Sequence, residues 1–260
     1  MMTLSSATTG PSFSTPTIDV DVGTVHVWSL SLDATSSRIA ALWRLLSSTE
    51  RARAARLRID RARDQFVVRR GMLRVILGHY LGRRPGELDL QYGPYGKPEL
   101  APSANDRSLT FNLSDSYGIA LYAVTRDCTL GVDVEQVREH RRHVELADRY
   151  FAVAEREELH RLPAGARRRA FYNGWTRKEA YVKAIGTGLV TRLDSFAVTL
   201  APGSPARLLT HAPAIRGHWT LASLDTIPGC AAALVVAGDC ERIVHRPWAE
   251  YGQGSANGSI

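Results

Sequence analysis

Lysine is almost missing from this chain. Of 33 Lys and Arg residues, only Lys97, Lys178 and Lys183 are lysine, and the other thirty are arginine. Nearly every positive charge is thus a planar guanidinium fork, and the compact, rotatable ammonium is kept at three places. Cysteine is nearly as sparse. Cys128, Cys230 and Cys240 are odd in number and far apart. That pattern fits neither a disulfide framework nor metal-ligand spacing, so a reducing cytoplasm is expected. Long apolar runs are absent too; none approaches the roughly 18 residues a membrane span requires. The opening stretch "MMTLSSATTGPSFSTPT" lacks both the basic start and the apolar run of a secretory signal, so none is expected.

What is present suits a globular chain: 260 residues, 44% hydrophobic and 23% charged, enough for one large domain or two small ones. The net charge is +7. It draws polyanions of any kind, whether nucleic acid, acidic membrane surfaces, phosphorylated ligands or acidic proteins.

Along the chain, "VHVWSLSL" reads as a strand and "ATSSRIAALWRLL" as a helix capped near Ser36 or Ser37. An arginine-dense helical region follows, with Phe66, Met72, Leu73, Ile76, Leu77 and Tyr80 on its buried side. Strand signals recur in "LDLQYG", "LTFNLS", "GIALYAVT" and "LGVDVEQV"; the short polar link "RDCT" between the last two predicts a hairpin. Helices and then strands come again in the second half. The fold class expected is α+β, two similar halves, each with helices on a small antiparallel sheet. The divisions expected are a flexible segment over 1–20, a first half over 21–137, a second over 138–245 and a flexible tail over 246–260.

Two motifs carry chemistry. In "GVDVE", Asp133 and Glu135 are two apart on a strand and share a face, while Val132 and Val134 take the other. Paired carboxylates repel unless a cation lies between them, and Mg²⁺ suits such hard oxygen ligands; a solvated polar strand face is the plainer alternative. In "AFYNGWTRKEAYVKAIGTGL", Phe171, Trp175, Val182 and Ile185 form a helical core stripe. Glu179 and Lys183 flank it four residues apart, which by itself describes an ordinary surface pair. Lys178 lies inside the stripe, where a charge costs several kcal/mol (~) unless paired. "GTG" reads as a helix stop, and Trp28, Trp43, Trp219 and Trp248 as core or tail residues.

Together, "YGPYGKPEL" with "LTFNLSDS", "GVDVE" and "WTRKEAYVKAIGTGL" resemble, in order and spacing, the motifs of the 4′-phosphopantetheinyl transferases, and among them the larger, monomeric surfactin-type class. All three lysines fall on lysine positions of those motifs. The resemblance runs from about Arg51 to Leu200. It implies transfer of the phosphopantetheine arm of coenzyme A to a serine of an apo acyl or peptidyl carrier protein. The other product is 3′,5′-ADP. It also implies a pseudo-dimer with its site between the halves.

By that resemblance Asp133, Glu135 and Glu179 would hold Mg²⁺, with Mn²⁺ an alternative. Lys183 would bind the pyrophosphate and assist the leaving 3′,5′-ADP. Glu179 would take the serine proton, with Glu155 a second candidate. Coenzyme A would meet Lys97, Pro98, Asn112, Ser114, Asp115, Lys178 and Lys183, with its 3′-phosphate reached by Arg51, Arg53 or Arg70; alternatively Lys178 would be a structural cation paired with a motif carboxylate. Asp115 departs from the family, which usually has His there touching the 3′-phosphate. An acid repels that phosphate unless it turns away or an Arg bridges it. The partners implied are acidic carrier proteins of polyketide, nonribosomal peptide or fatty-acid synthesis, with no membrane or nucleic acid. The composition alone also allows a nucleic-acid-binding protein, and the carboxylates a metal-dependent phosphodiesterase.

Overall fold

Strand β1, Thr24–Ser31, is the first apolar run and is buried along most of its length. Three helices follow: α1 Ser36–Leu45, α2 Ser48–Ala55 and α3 Asp60–Leu81. Thr35, not Ser36 or Ser37, caps α1, its side chain accepting from the Arg38 N–H. Short strands β2 Leu90–Tyr92 and β3 Pro98–Leu100 pair with each other. Then come β4 Leu109–Ser116, β5 Ile119–Arg126 and β6 Leu130–Gln136. Helices α4 His143–Tyr150, α5 Val153–Arg161 and α6 Ala164–Ile185 precede the short pair β7 Ala197–Val198 and β8 Leu208–Thr210. The chain closes with β9 Trp219–Ser223, β10 Cys230–Ala237 and β11 Arg242–Pro247. This computed structural model describes residues 17–93, 96–102, 108–139, 142–212, 215–225 and 227–248.

The architecture is α+β. One sheet has the order β11-β1-β5-β4 and another β6-β10-β9. The expected hairpin between β5 and β6 does not form. Instead β5 pairs with β4 and β1, and β6 with β10. Asp127, in the link, has a left-handed φ of 57°, a conformation Asp tolerates better than most residues, and the chain crosses to the other sheet. The two-residue turn is at Tyr117 and Gly118, both at positive φ, as a type I′ hairpin requires.

The strand pairing also moves the expected divisions. β6 lies before residue 137 yet belongs to the second sheet, and β11 returns from the far end to pair in parallel with β1. Residues 246–248 are not tail: Arg246 and Pro247 are in β11, and Trp248 packs on Trp28. Ile18 and Val20 are buried, so 17–20 are not loose either. The rest of both expected flexible ends lies outside the described residues.

Three apolar clusters hold this together. Trp28, Phe66, Leu73, Ile76, Tyr80 and Tyr122 fill the space between α3 and the first sheet. Phe151, Phe171, Tyr181, Phe196 and Val235 do so beneath α6. Val25, Val27, Leu121, Val132, Val134 and Leu234 join the sheets back to back.

Each long helix also carries a buried ion pair. Arg74 meets Glu50 at 2.8 Å and Lys178 meets Glu155 at 2.7 Å, all nearly sealed from solvent. Each glutamate also accepts a backbone N–H at the start of its own short helix, from Ser47 and Ala152 respectively. Breaking either pair would leave a buried charge without its counterion, at about 3–5 kcal/mol.

Candidate active site

The site forms where β4, β6 and the end of α6 meet. Gly131, Asp133 and Glu135 alternate on the face of β6 that looks toward α6, leaving Val132 and Val134 for the core between the sheets. A Cβ on Gly131 would stand 2.1 Å from the Ala180 carbonyl oxygen and 2.5 Å from the Ala184 nitrogen. Helix and strand touch backbone to backbone there, which only glycine permits. That contact sets Glu179 and Lys183 over the β6 carboxylates.

Lys183 uses all three donors. Its Nζ donates to Asp133 Oδ1 at 2.7 Å, Ser114 Oγ at 2.9 Å and the Val132 carbonyl at 3.2 Å. Ser114 in turn donates to Asp133 Oδ1 at 2.7 Å, and Ser116 to Glu135 Oε2 at 2.7 Å. Asn112 Oδ1 accepts the Val132 N–H, and Ser116 Oγ the Gln136 N–H. Side chains of β4 thus cap the open edge of β6, whose backbone groups would otherwise lack partners. Lys97 spans the same seam, its Nζ donating to the Lys183 carbonyl at 3.2 Å, where a cation also suits the negative end of a helix. Burial lowers its pKa.

Burial raises the pKa of Glu179, and the charges of Asp133 and Glu135 add to the effect. Burial also raises that of Glu135, against the opposing hydrogen bond from Ser116. Asp133 is only 4% exposed, and its Oδ2 is buried without a partner. Among the described residues no three His, Cys, Asp or Glu side chains converge to hold a metal ion as they stand. The expected trio Asp133, Glu135 and Glu179 is therefore not assembled; Lys183 and Ser114 occupy Asp133, and Ser116 occupies Glu135. The orphan Oδ2 and the mutually repelling carboxylates nonetheless fit a divalent cation, which would satisfy both.

Several expected residues lie elsewhere. Lys178 is fully buried and bonds Glu155 and the carbonyls of Leu193 and Phe196 at 2.7 and 2.6 Å, so it cannot touch a ligand. Glu155 gives one oxygen to the Val198 N–H and the other to Lys178 and Ala152; at 1% exposure it is sealed from a substrate proton. Asn112 braces β6 with its carbonyl rather than presenting that oxygen to coenzyme A. Pro98 is buried in β3 beside Lys97. Arg51 and Arg53 are exposed on α2, whereas Arg70 is buried on α3. Asp115 faces away from the Lys183 seam, as strand alternation requires of the neighbour of Ser114, and pairs with Arg69. Sequence reasoning missed two residues. Arg69 was lost among many arginines. Gly131 was visible in "GVDVE", but nothing in a linear motif says which backbone will press on it.

The arrangement is a lysine bonded to Asp133, Ser114 and the Val132 carbonyl where β4, β6 and α6 meet. A family model described as the 4′-phosphopantetheinyl transferase superfamily matches residues 129–237. The chain is 41% identical over 214 residues to the 4′-phosphopantetheinyl transferase HetI of a Nostoc species, spanning 82% of this chain and 88% of that one. It is 37% identical to a Synechocystis relative, over 56% of this chain and 58% of that one. It is 29% identical to a 4′-phosphopantetheinyl transferase of Bacillus subtilis, over 50% and 55% respectively. The chain belongs to the 4′-phosphopantetheinyl transferase superfamily.

Proposed function

We propose that the seam between β4, β6 and α6 transfers the 4′-phosphopantetheine arm of coenzyme A to a serine of an apo carrier protein. The serine oxygen bonds the β-phosphorus, the pyrophosphate P–O bond breaks, and 3′,5′-ADP leaves. The observation that carries this reading is Lys183, held among Asp133, Ser114 and Val132 beside the orphan Asp133 Oδ2. Asp133, Glu135 and Glu179 would hold Mg²⁺ or Mn²⁺, which when bound neutralises charge on the pyrophosphate. Lys183, a compact point charge, turns a donor from Ser114 or the Val132 carbonyl to a phosphate oxygen and stabilises the leaving nucleotide. Glu179, half-buried beside the β6 carboxylates, takes the serine proton as general base. Ser114 and Lys97 line the phosphate path, and Arg70 awaits the 3′-phosphate.

The protein acts as a surfactin-type monomer of two similar halves, in the cytoplasm, on acidic carriers of polyketide or nonribosomal peptide synthesis. The matching strand orders β1-β5-β4 and β6-β10-β9 support the two-half reading. On that reading the division falls between β5 and β6. The net charge of +7 supports acidic partners. The test is mass spectrometry of a panel of apo carriers incubated with coenzyme A and Mg²⁺. A gain of one phosphopantetheine mass, lost on chelation, is expected. No gain on any carrier, or release of 3′,5′-ADP without carrier, overturns the proposal.

A further inference from the structure

We propose that Arg69 is a specificity-determining contact for the 3′-phosphate of coenzyme A, and that Asp115 is the positioning residue that holds it. The inference rests on coenzyme A being the co-substrate.

Asp115 and Ser114 are neighbours on β4 and face opposite ways. Ser114 serves the Lys183 seam, while Asp115 looks toward α3 and forms an ion pair with Arg69 Nη1. The helix is pinned at that residue, because the Tyr122 hydroxyl on β5 donates to the Arg69 carbonyl at 2.9 Å. The Arg69 guanidinium stands 5.6 Å from the centre of the Phe66 ring, and those of Arg53 and Arg70 stand over the same ring at 5.7 and 5.8 Å. Of these three cations only Arg69 has a carboxylate partner among the described residues. The surplus of two positive charges matches a phosphate monoester dianion.

The donors there are also idle. Arg70 is 5% exposed, yet its Nε and Nη1 have no partner, and the buried Nε of Arg69 has none either. Buried N–H groups left unpaired cost about 1–3 kcal/mol each, and the contact of the Arg70 guanidinium with the Tyr92 ring, 5.3 Å to its centre, pairs none of them. An anion seated against Phe66 satisfies them. Coenzyme A carries one monoester phosphate, at the 3′ position; its other two phosphates form the pyrophosphate assigned to the seam. Adjacent residues of one strand thus serve two different phosphates. At position 115 a lone acid would repel the 3′-phosphate. Tied to Arg69 it becomes an anchor, and the arginine supplies the cation that the family's histidine supplies elsewhere.

The test compares 3′,5′-ADP with 5′-AMP by calorimetry on the full chain, since the two differ only in the 3′-phosphate. The wild type binds 3′,5′-ADP more tightly. Arg69→Gln weakens that binding roughly tenfold to a hundredfold, the loss of one charge-assisted contact, and leaves 5′-AMP unchanged, which also reports an intact fold. Asp115→Asn, which keeps the cation but frees it, loses about threefold to tenfold on 3′,5′-ADP alone, and Asp115→Glu restores part of that. In the transfer assay Arg69→Gln raises KM for coenzyme A, leaves kcat, and leaves KM for dephospho-coenzyme A. Should Arg69→Gln not fold, Arg69→Lys gives the same selective loss on a smaller scale. Equal losses on both nucleotides, or none, overturn the inference, as does a wild type that binds both alike. If the wild type discriminates and Arg69→Gln abolishes the discrimination while no carrier is modified, the inference stands and the transfer reading falls.

Discussion

The helices α3 and α6 are near-copies in architecture and opposites in use. Each is 22 residues long and stops at a glycine in left-handed conformation, Gly82 and Gly186. Each has a buried cation fifteen residues in, Arg74 or Lys178, paired with the third residue of a preceding short helix, Glu50 or Glu155. The sheets beneath share one strand order. They part at the next residue: α3 continues with Val75 and His79, where α6 has Glu179 and Lys183.

The floors differ accordingly. Beneath α3 lie Trp28 and Tyr122, both fully buried, and Tyr122 spans from β5 to the helix backbone. Beneath α6 lie Gly131, Ala231 and Ala233, and the helix comes down onto the strand. A tyrosine's length of stand-off in one half is van der Waals contact in the other. Aromatic side chains thus hold α3 off its sheet, whereas glycine and alanine let α6 lie on β6.

Exchanging the distinguishing residues gives the largest effect. Lys183→Ala is expected to lower transfer about 10²–10³-fold, as removal of one preorganised charge does, whereas His79→Ala on α3 leaves kcat within about twofold, a change of less than 0.5 kcal/mol in the barrier. Steady-state kinetics on one carrier reads both. Comparable losses would erase the distinction between the helices.

The shared feature predicts shared behaviour. Glu50→Gln and Glu155→Gln each strand a buried cation and are expected to cost about 3–5 kcal/mol in urea unfolding. If Glu155→Gln instead left stability intact and abolished transfer, Glu155 would be a catalytic group after all.

The smallest effect sharpens the contrast through pH. Burial raises the pKa of Glu135 and Glu179 in the folded protein. A raised carboxyl contributes stability that is full below its unfolded pKa and is lost as pH rises through the folded one. At neutral pH Glu179→Gln is therefore expected to melt slightly above wild type, and the difference to close in acid below the usual carboxylate range. A lower melting temperature for Glu179→Gln at neutral pH would mean that the folded protein favours the charged form.

Much of this was legible in the residues themselves. Two strand carboxylates at i and i+2 and a helical Glu and Lys at i and i+4 mark the candidate site, and Gly186 marks the helix stop. What escaped was non-local. "RDCT" looks like a hairpin link because period-two runs flank it, and nothing local says that β6 will find β10 about a hundred residues later. Lys178 on an apolar stripe demands a partner, but only the fold brings Glu155 to it rather than a ligand. The closeness demanded of Gly131 appears only once α6 lies on it.

The central claim is that this closeness makes the site. Single-turnover transfer by Gly131→Ala, followed by mass spectrometry with its near-ultraviolet circular dichroism checked against wild type, tests it most directly. An added methyl must lift α6 from β6, and a displacement near 1 Å costs about 10²-fold in rate, so a folded variant is expected to be slower by at least about that factor. A folded Gly131→Ala that transfers at the wild-type rate would contradict the account.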